Sequence, residues 1–383
     1  MNETDKKIDK DVIPKSFEDL KKEVHDRGIC GQCGGCVSFC SAADLKAIEM
    51  SESGVPKYVN EDNCLHCGIC YLVCPQTWVL NEELNEKYNY KTSIGNWQKI
   101  TSSLATSKKI KQRGTDGGVV TSILLYLLEH DLINGALVCK RESPFNRVPF
   151  FAKTKEELIE AAGSHYDLSK QVVGLEHYET FIPIITELKQ VVASDMMDIA
   201  IVGTPCQVHS IRKMQELSIL PAHIVKYALG LFCNLNFSFD DDARKKMEEK
   251  FEFSFNNVKK MNIKEDLILH LKNHEKKHIE FQDLYEFARP ACLACRDFSN
   301  VYADISFGGL GSQHDLTTSI IRTEIGKEIY NNTLSENYIS EPSELNTSIK
   351  KSEMLAKVIS FGKRKYDRYK KTMERLKKEK KKK

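Results

Sequence analysis

From about residue 100 onward, short apolar runs alternate with segments of helical period. Val119, Val120, Ile123, Leu124, Leu127 and Leu128 recur at the three- and four-residue spacing of one helix face, directly after the pair Gly117–Gly118. Residues 136–139 read as a short buried strand and 199–202 as another. The latter is followed by the turn Gly203-Thr204-Pro205 and a helix through Met214. Residues 224–232 and 301–307 are further strand candidates. Strands alternating with helices predict an α/β domain over 100–345. Ahead of it, 1–24 is a polar extension, 25–80 is dominated by cysteines, and 81–99 reads as a linker with few core residues. Residues 346–383 read as a basic helix fading into a disordered lysine tail. That tail is solvated on the plain reading, or in contact with an acidic partner or an anionic membrane on the functional one.

Charge adds little to this picture. With 56 Lys and Arg against 54 Asp and Glu the net charge is +2, so no polyanionic partner such as a nucleic acid is indicated. The longest apolar run, 119–128, is broken by Thr121 and Ser122, and nothing approaches the roughly 20 apolar residues of a membrane span. The first residues carry no apolar export signal, so a cytoplasmic location is expected. In that reducing compartment, 13 cysteines read as metal ligands or redox thiols rather than disulfides.

Eight of those cysteines fall into two copies of one spacing. Cys30, Cys33, Cys36 and Cys40 form C-x2-C-x2-C-x3-C, and Cys64, Cys67, Cys70 and Cys74 repeat it with Pro75 immediately after. This is the run of two-cluster ferredoxins, in which the fourth cysteine of each run ligates the other cluster. Cys30, Cys33, Cys36 and Cys74 are therefore expected to hold one [4Fe-4S] cluster, and Cys64, Cys67, Cys70 and Cys40 the second. The first run has Ser41 in place of the proline. Zinc ribbons also use C-x2-C pairs, but they need no third cysteine at the same interval. An α+β ferredoxin-like two-cluster domain is expected here.

In the larger domain, two phrases place glycine and hydroxyl residues where a helix begins: GTDGGVVT at 114–121 and IVGTPCQ at 201–207. Such turns present backbone N–H groups to a phosphate, although alone either is more simply a turn. Taken in order with AAGSHY, GLFC, ARPACLACRDFSNVYADISFGGLGS and IIRTEIG, they resemble the coenzyme F420 hydrogenase/dehydrogenase beta-subunit family over residues 25–330. The resemblance is nearest to the branch containing the electron-input subunit of F420H2 dehydrogenase and similar formate dehydrogenase subunits.

The resemblance implies an α/β flavin-binding domain that binds FAD and exchanges a hydride with the deazaflavin coenzyme F420, passing single electrons on through clusters. It places the FAD phosphates near Gly114, Gly117, Gly118, Gly203 and Thr204, with Gly163, Ser164 and Tyr166 lining the flavin region. His165 stands where the family commonly has a lysine. It also makes Cys206, Cys233, Cys292 and Cys295 the ligands of a third [4Fe-4S] cluster. By residue pattern alone these four sit at the ends of predicted strands or in a C-x2-C loop, and Cys292 with Cys295 read equally as a redox dithiol or half a zinc site.

Cys139, among Ala136, Leu137 and Val138, is expected in the core. His209 and Lys213 are expected as surface or packing residues. Arg289, Arg296 and Asp297 flank the ligand loop, either as a local ion pair or as tuning groups. No catalytic side chain stands out. The expected partner is a larger redox enzyme: a hydrogenase, a formate dehydrogenase, a heterodisulfide reductase or a membrane quinone-reducing complex, with the chain then peripheral to that membrane. A ferredoxin-linked flavin oxidoreductase, or a carrier subunit not using F420, is the alternative function.

Overall fold

The computed structural model describes residues 15–51, 54–90, 93–141, 147–163, 166–167, 178–179, 185, 188, 198–239, 241–263, 265–313 and 315–380. An eight-stranded sheet organises the larger part of the chain. Its strands are β1 (Lys99–Ala105), β2 (Gly135–Arg141), β3 (Arg147–Ala152), β4 (Ile199–Gly203), β5 (Val225–Leu231), β6 (Ile305–Gly308), β7 (Thr317–Ile321) and β8 (Ile339–Ser340). The spatial order is β8-β1-β7-β6-β5-β4-β2-β3. The central four, β6, β5, β4 and β2, are mutually parallel, and antiparallel pairs close both flanks.

Residues of period two split between the two faces of this sheet. Ala136, Val138, Ala200, Leu229, Ile305 and Phe307 join one core with helices Val119–Glu129 and Glu324–Ser335. Leu137, Ile199, Ile201 and Ala228 join another with helix Pro205–Glu216. Strands buried on both faces read as continuous apolar runs, which is why 199–202 and 136–139 were legible. The strand expected at 301–307 begins only at Ile305. Before it, 299–304 is a buried turn pinned by Asn300, whose Nδ2 donates to the Gly203 carbonyl (2.8 Å).

A four-stranded antiparallel sheet in the order Lys276–Ile279, Leu267–Leu271, Val258–Ile263, Tyr166–Asp167 packs in a third core. Its Leu267 and Leu269 meet Met354, Val358 and Phe361 of the C-terminal helix there.

The cysteine-rich segment is a small unit of its own. Helices Gly35–Ala42 and Ile69–Leu72 each start just after a left-handed glycine, Gly34 (φ 85°) and Gly68 (φ 75°), and the hairpin Ile48–Met50/Pro56–Tyr58 lies alongside. Two expectations at its margins are corrected. The polar extension is not core-free: Phe17, Leu20 and Val24 are buried in the core of this unit. Residues 81–99 are no bare linker, because helix Asn81–Lys87 forms and Leu84 and Ile94 are fully buried. The basic tail forms the expected helix, from Ser348 to Lys380, and its Met373 and Leu376 rest against the cysteine-rich core. The apolar positions Met354, Val358 and Phe361 carry it inward at helical spacing.

Candidate functional site

Helix Pro205–Glu216 lies between the large sheet and the cysteine-rich unit. One stripe of it, at spacing i, i+4, i+7, presents Cys206, Ser210 and Lys213. Ser210 Oγ donates to the Val73 carbonyl (3.1 Å) and lies beside the Cys33 thiol, whose upward shift it moderates. Lys213 Nζ donates to the Cys74 carbonyl at 2.6 Å. The approach is tight: a Cβ on Gly35 would stand 1.9 Å from Ser210 Oγ, so only glycine lets the ferredoxin-like helix lie this close. A Cβ on Gly31 would stand 3.7 Å from that of Cys206.

Several of the cysteines influence one another across the segments that meet near this helix. Cys33, Cys30 and Lys213 bear on Cys74, and Cys33, Cys30, Cys70 and Cys74 bear on Cys36. Cys67, Cys64 and Cys40 bear on Cys70. Cys74 thus lies near Cys33 and Cys30, and Cys40 near Cys70. Cys206 feels Cys33 first and then Cys295 and Cys233, and Cys233 feels Cys292 and Cys295. Cys206 thus lies near Cys33.

Burial pushes these thiols upward: Cys30, Cys70 and Cys233 to about 12, and Cys36 and Cys206 well above the usual range. Donors already face the sulfurs. The Gln32 N–H reaches Cys30 Sγ (3.4 Å), the Ala47 N–H Cys40 Sγ (3.4 Å), and Asn236 Nδ2 Cys233 Sγ (3.2 Å). Tyr58 OH reaches Cys64 Sγ (3.6 Å), and Thr204 Oγ1 lies 3.3 Å from Cys206 Sγ. Such bonds to sulfur suit cluster thiolates. Among the described residues no three His, Cys, Asp or Glu close on one point as ligands of a single ion do.

The glycine turns divide. Cys206 and Cys233 follow the carboxyl ends of the parallel strands β4 and β5, the edge at which α/β sheets hold ligands. Gly117 and Gly118 (φ 67° and 72°) lie at the same edge, where a Cβ on Gly117 would meet Thr317 Oγ1 at 2.8 Å and the Ser103 carbonyl at 2.9 Å. Helix Val119–Glu129 starts there, and its first amides lie outside the helix's own ladder. Gly114 packs on Gly118.

At Gly203 the turn is closed on itself. Thr204 donates its N–H to Gln207 Oε1 (2.8 Å), its hydroxyl faces Cys206, and Pro205 has no N–H. The two turns lie three to four strand spacings apart, about 14–19 Å at about 4.8 Å per spacing, so one phosphate cannot touch both. Gly163 (φ 93°) follows helix Lys155–Glu160, and Tyr166 lies in the four-stranded sheet opposite Met261. Ser164 and His165 lie outside the described residues.

Arg289, Arg296 and Asp297, expected either to pair locally or to tune the cluster, each face a different partner. Arg289 Nη2 donates to the Gly31 carbonyl (3.3 Å) and to Gln32, Arg296 stacks on Trp78 (4.1 Å), and Asp297 accepts from the Asn300 and Val301 amides. His209 is a packing residue, bonded to Asn81 (2.8 Å) and stacked on Tyr302. Cys139 is half-buried on β2. Lys213 is not a surface residue but fully buried. Lys365, which the charge pattern leaves in the tail, is equally buried and donates to the Cys233 carbonyl (2.5 Å). Its four-residue step from Phe361 was the signal.

Comparison with known proteins supplies the context. Residues 100–175 and 196–345 match the family regions described as coenzyme F420 hydrogenase/dehydrogenase, beta subunit N-term and C terminus, and 57–76 matches a 4Fe-4S binding domain. The beta subunit of coenzyme F420 hydrogenase from Methanococcus voltae is 32% identical over 63% of this chain and 83% of its own length. A coenzyme F420-dependent sulfite reductase from Methanocaldococcus jannaschii is 30% identical over 82% of this chain, but the chain spans only 47% of that protein's length. Among solved structures, a chain of the F420-reducing [NiFe] hydrogenase complex from Methanosarcina barkeri superposes with a TM-score of 0.63 at 26% identity, covering 75% of this chain and 94% of its own.

Proposed function

This chain belongs to the coenzyme F420 hydrogenase/dehydrogenase beta-subunit family, and from that premise we propose that it is an iron–sulfur flavoprotein subunit transferring a hydride between coenzyme F420 and FAD and passing electrons to a partner redox enzyme. The observation that carries the reading is the stripe Cys206, Ser210, Lys213. One helix supplies a ligand to the third cysteine group and touches two ligands of the first, so the glycine edge of the sheet and the ferredoxin-like unit are joined by contact.

When bound, FAD accepts a hydride and releases electrons singly, and the clusters carry them. The chain's own residues do the rest. Cys206, Cys233, Cys292 and Cys295 would hold the cluster nearest the sheet edge. Cys30, Cys33, Cys36 and Cys74 would hold the middle one. Cys64, Cys67, Cys70 and Cys40 would hold the outermost, where Cys67 is exposed and Leu65 is 70% exposed for a partner to approach. The open helix start at Gly118 suits a phosphate of FAD, whereas the closed Thr204 turn serves Cys206. Hydride transfer between two such rings needs positioning more than acid–base help.

The partner follows the family's pattern: a hydrogenase, a formate dehydrogenase, a heterodisulfide reductase or a membrane quinone-reducing complex. That the same region occupies under half of an F420-dependent sulfite reductase supports an electron-input module joined to differing acceptors.

The test is anaerobic purification with iron, sulfide and FAD quantified, then addition of F420H2 with a viologen acceptor. Dye reduction that depends on bound FAD is expected. Full clusters and FAD without dye reduction would overturn the F420 assignment, leaving reduced ferredoxin as the donor to try.

A further inference from the structure

Lys365 lies in the middle of the C-terminal helix Ser348–Lys380, and only 1% of it is exposed. Its ammonium donates to the Cys233 backbone carbonyl at 2.5 Å, and among the described residues it forms no ion pair with a carboxylate. The negative groups facing it are the sulfurs of Cys295, Cys233 and Cys292, and its nearest like charge is Arg368, held away by Asn234 (2.9 and 3.1 Å). Asp297, the acid beside this loop, is already bonded to two backbone amides.

A lysine taken fully out of water costs several kcal/mol unless an opposite charge faces it. A carbonyl satisfies one N–H but does not cancel the charge. Four thiolates around a cluster are net negative and supply the missing counter-charge.

We propose that Lys365 is a positioning residue that sets the reduction potential of the site built on Cys206, Cys233, Cys292 and Cys295, holding it above the value those ligands alone would give. The inference rests on reading those four cysteines as a cluster site. Reduction there adds one electron, drawn from the flavin side, and breaks no bond. The added negative charge is met by a fixed cation in a low-dielectric interior, which favours the reduced form.

Lys213 is the natural comparison. It is equally buried against Cys74, but Arg289 also bears on that group, so no single cation dominates there.

The experiment is an EPR-monitored redox titration of the full chain carrying its clusters, in wild type, Lys365→Met, Lys365→Gln and Lys365→Arg. One of the cluster signals is expected to move to lower potential in the Met and Gln variants and to stay near its original position in the Arg variant, the other signals being unmoved. Should Lys365→Met not retain its cluster, the Gln-versus-Arg difference decides alone. Identical potentials in Gln and Arg at full iron content would overturn the inference. Wild-type iron and sulfide amounting to only two clusters would instead overturn the reading on which it rests.

Discussion

His25 closes a turn of π-helix, Lys21–His25, with its ring edge on Phe17 (5.6 Å). Burial lowers its pKa to about 4 from 6.5, with Asp26 opposing and Lys21 adding to the shift. The folded state therefore prefers the neutral ring. The stability this gives is intact above the unfolded value of 6.5 and is lost as pH falls from 6.5 towards 4, where the unfolded chain binds the proton first. Because the ring is partly solvated, we expect a loss of only about 1 kcal/mol between pH 7 and 5. Denaturant unfolding at the two pH values, in wild type and His25→Phe, measures it. An equal drop in both would contradict the assignment. Histidines and lysines were the least legible residues in the sequence, because their environment is set by distant segments. Lys213 meets Cys74 across 139 positions and Lys365 meets Cys233 across 132. The cysteine runs were legible because a cluster's ligand spacing is fixed locally.

At the scale of elements, the C-terminal helix departs furthest from its sequence pattern. Its charge density reads as a solvated tail, yet Met354, Val358 and Phe361 pack in the large domain, Tyr369 stands 5.5 Å from Trp78, and Met373 and Leu376 reach the ferredoxin-like core. A helix packed at both ends ties the two units together. Ending the chain after Gly362 is therefore expected to leave the eight-stranded sheet folded while exposing the cysteine-rich unit to protease. Limited proteolysis compared with full-length protein checks this, and an unchanged cleavage pattern would show the helix to be dispensable. The strands of the parallel sheet were readable from their apolar runs. By contrast, the two-residue strand Tyr166–Asp167 offers no such signal, and its place is decided by pairing with Val258–Ile263.

For the whole molecule, the proposed path runs from the glycine edge through Cys206, Cys233, Cys292 and Cys295 to the first and then the second ferredoxin-type cysteine group. The order could not be read from spacing. It depends on Gly31 meeting Cys206 and Gly35 meeting Ser210, contacts between segments about 175 residues apart in the chain. Among the described residues no helix is long and apolar enough to cross a membrane. Freeze-quench EPR of the two ferredoxin-type clusters after mixing with F420H2, in wild type and in Cys292→Ser, tests this path. Their signals are expected to appear rapidly in wild type and to be severely slowed in the variant at unchanged FAD content. Equal rates in both would contradict a path through the third cysteine group.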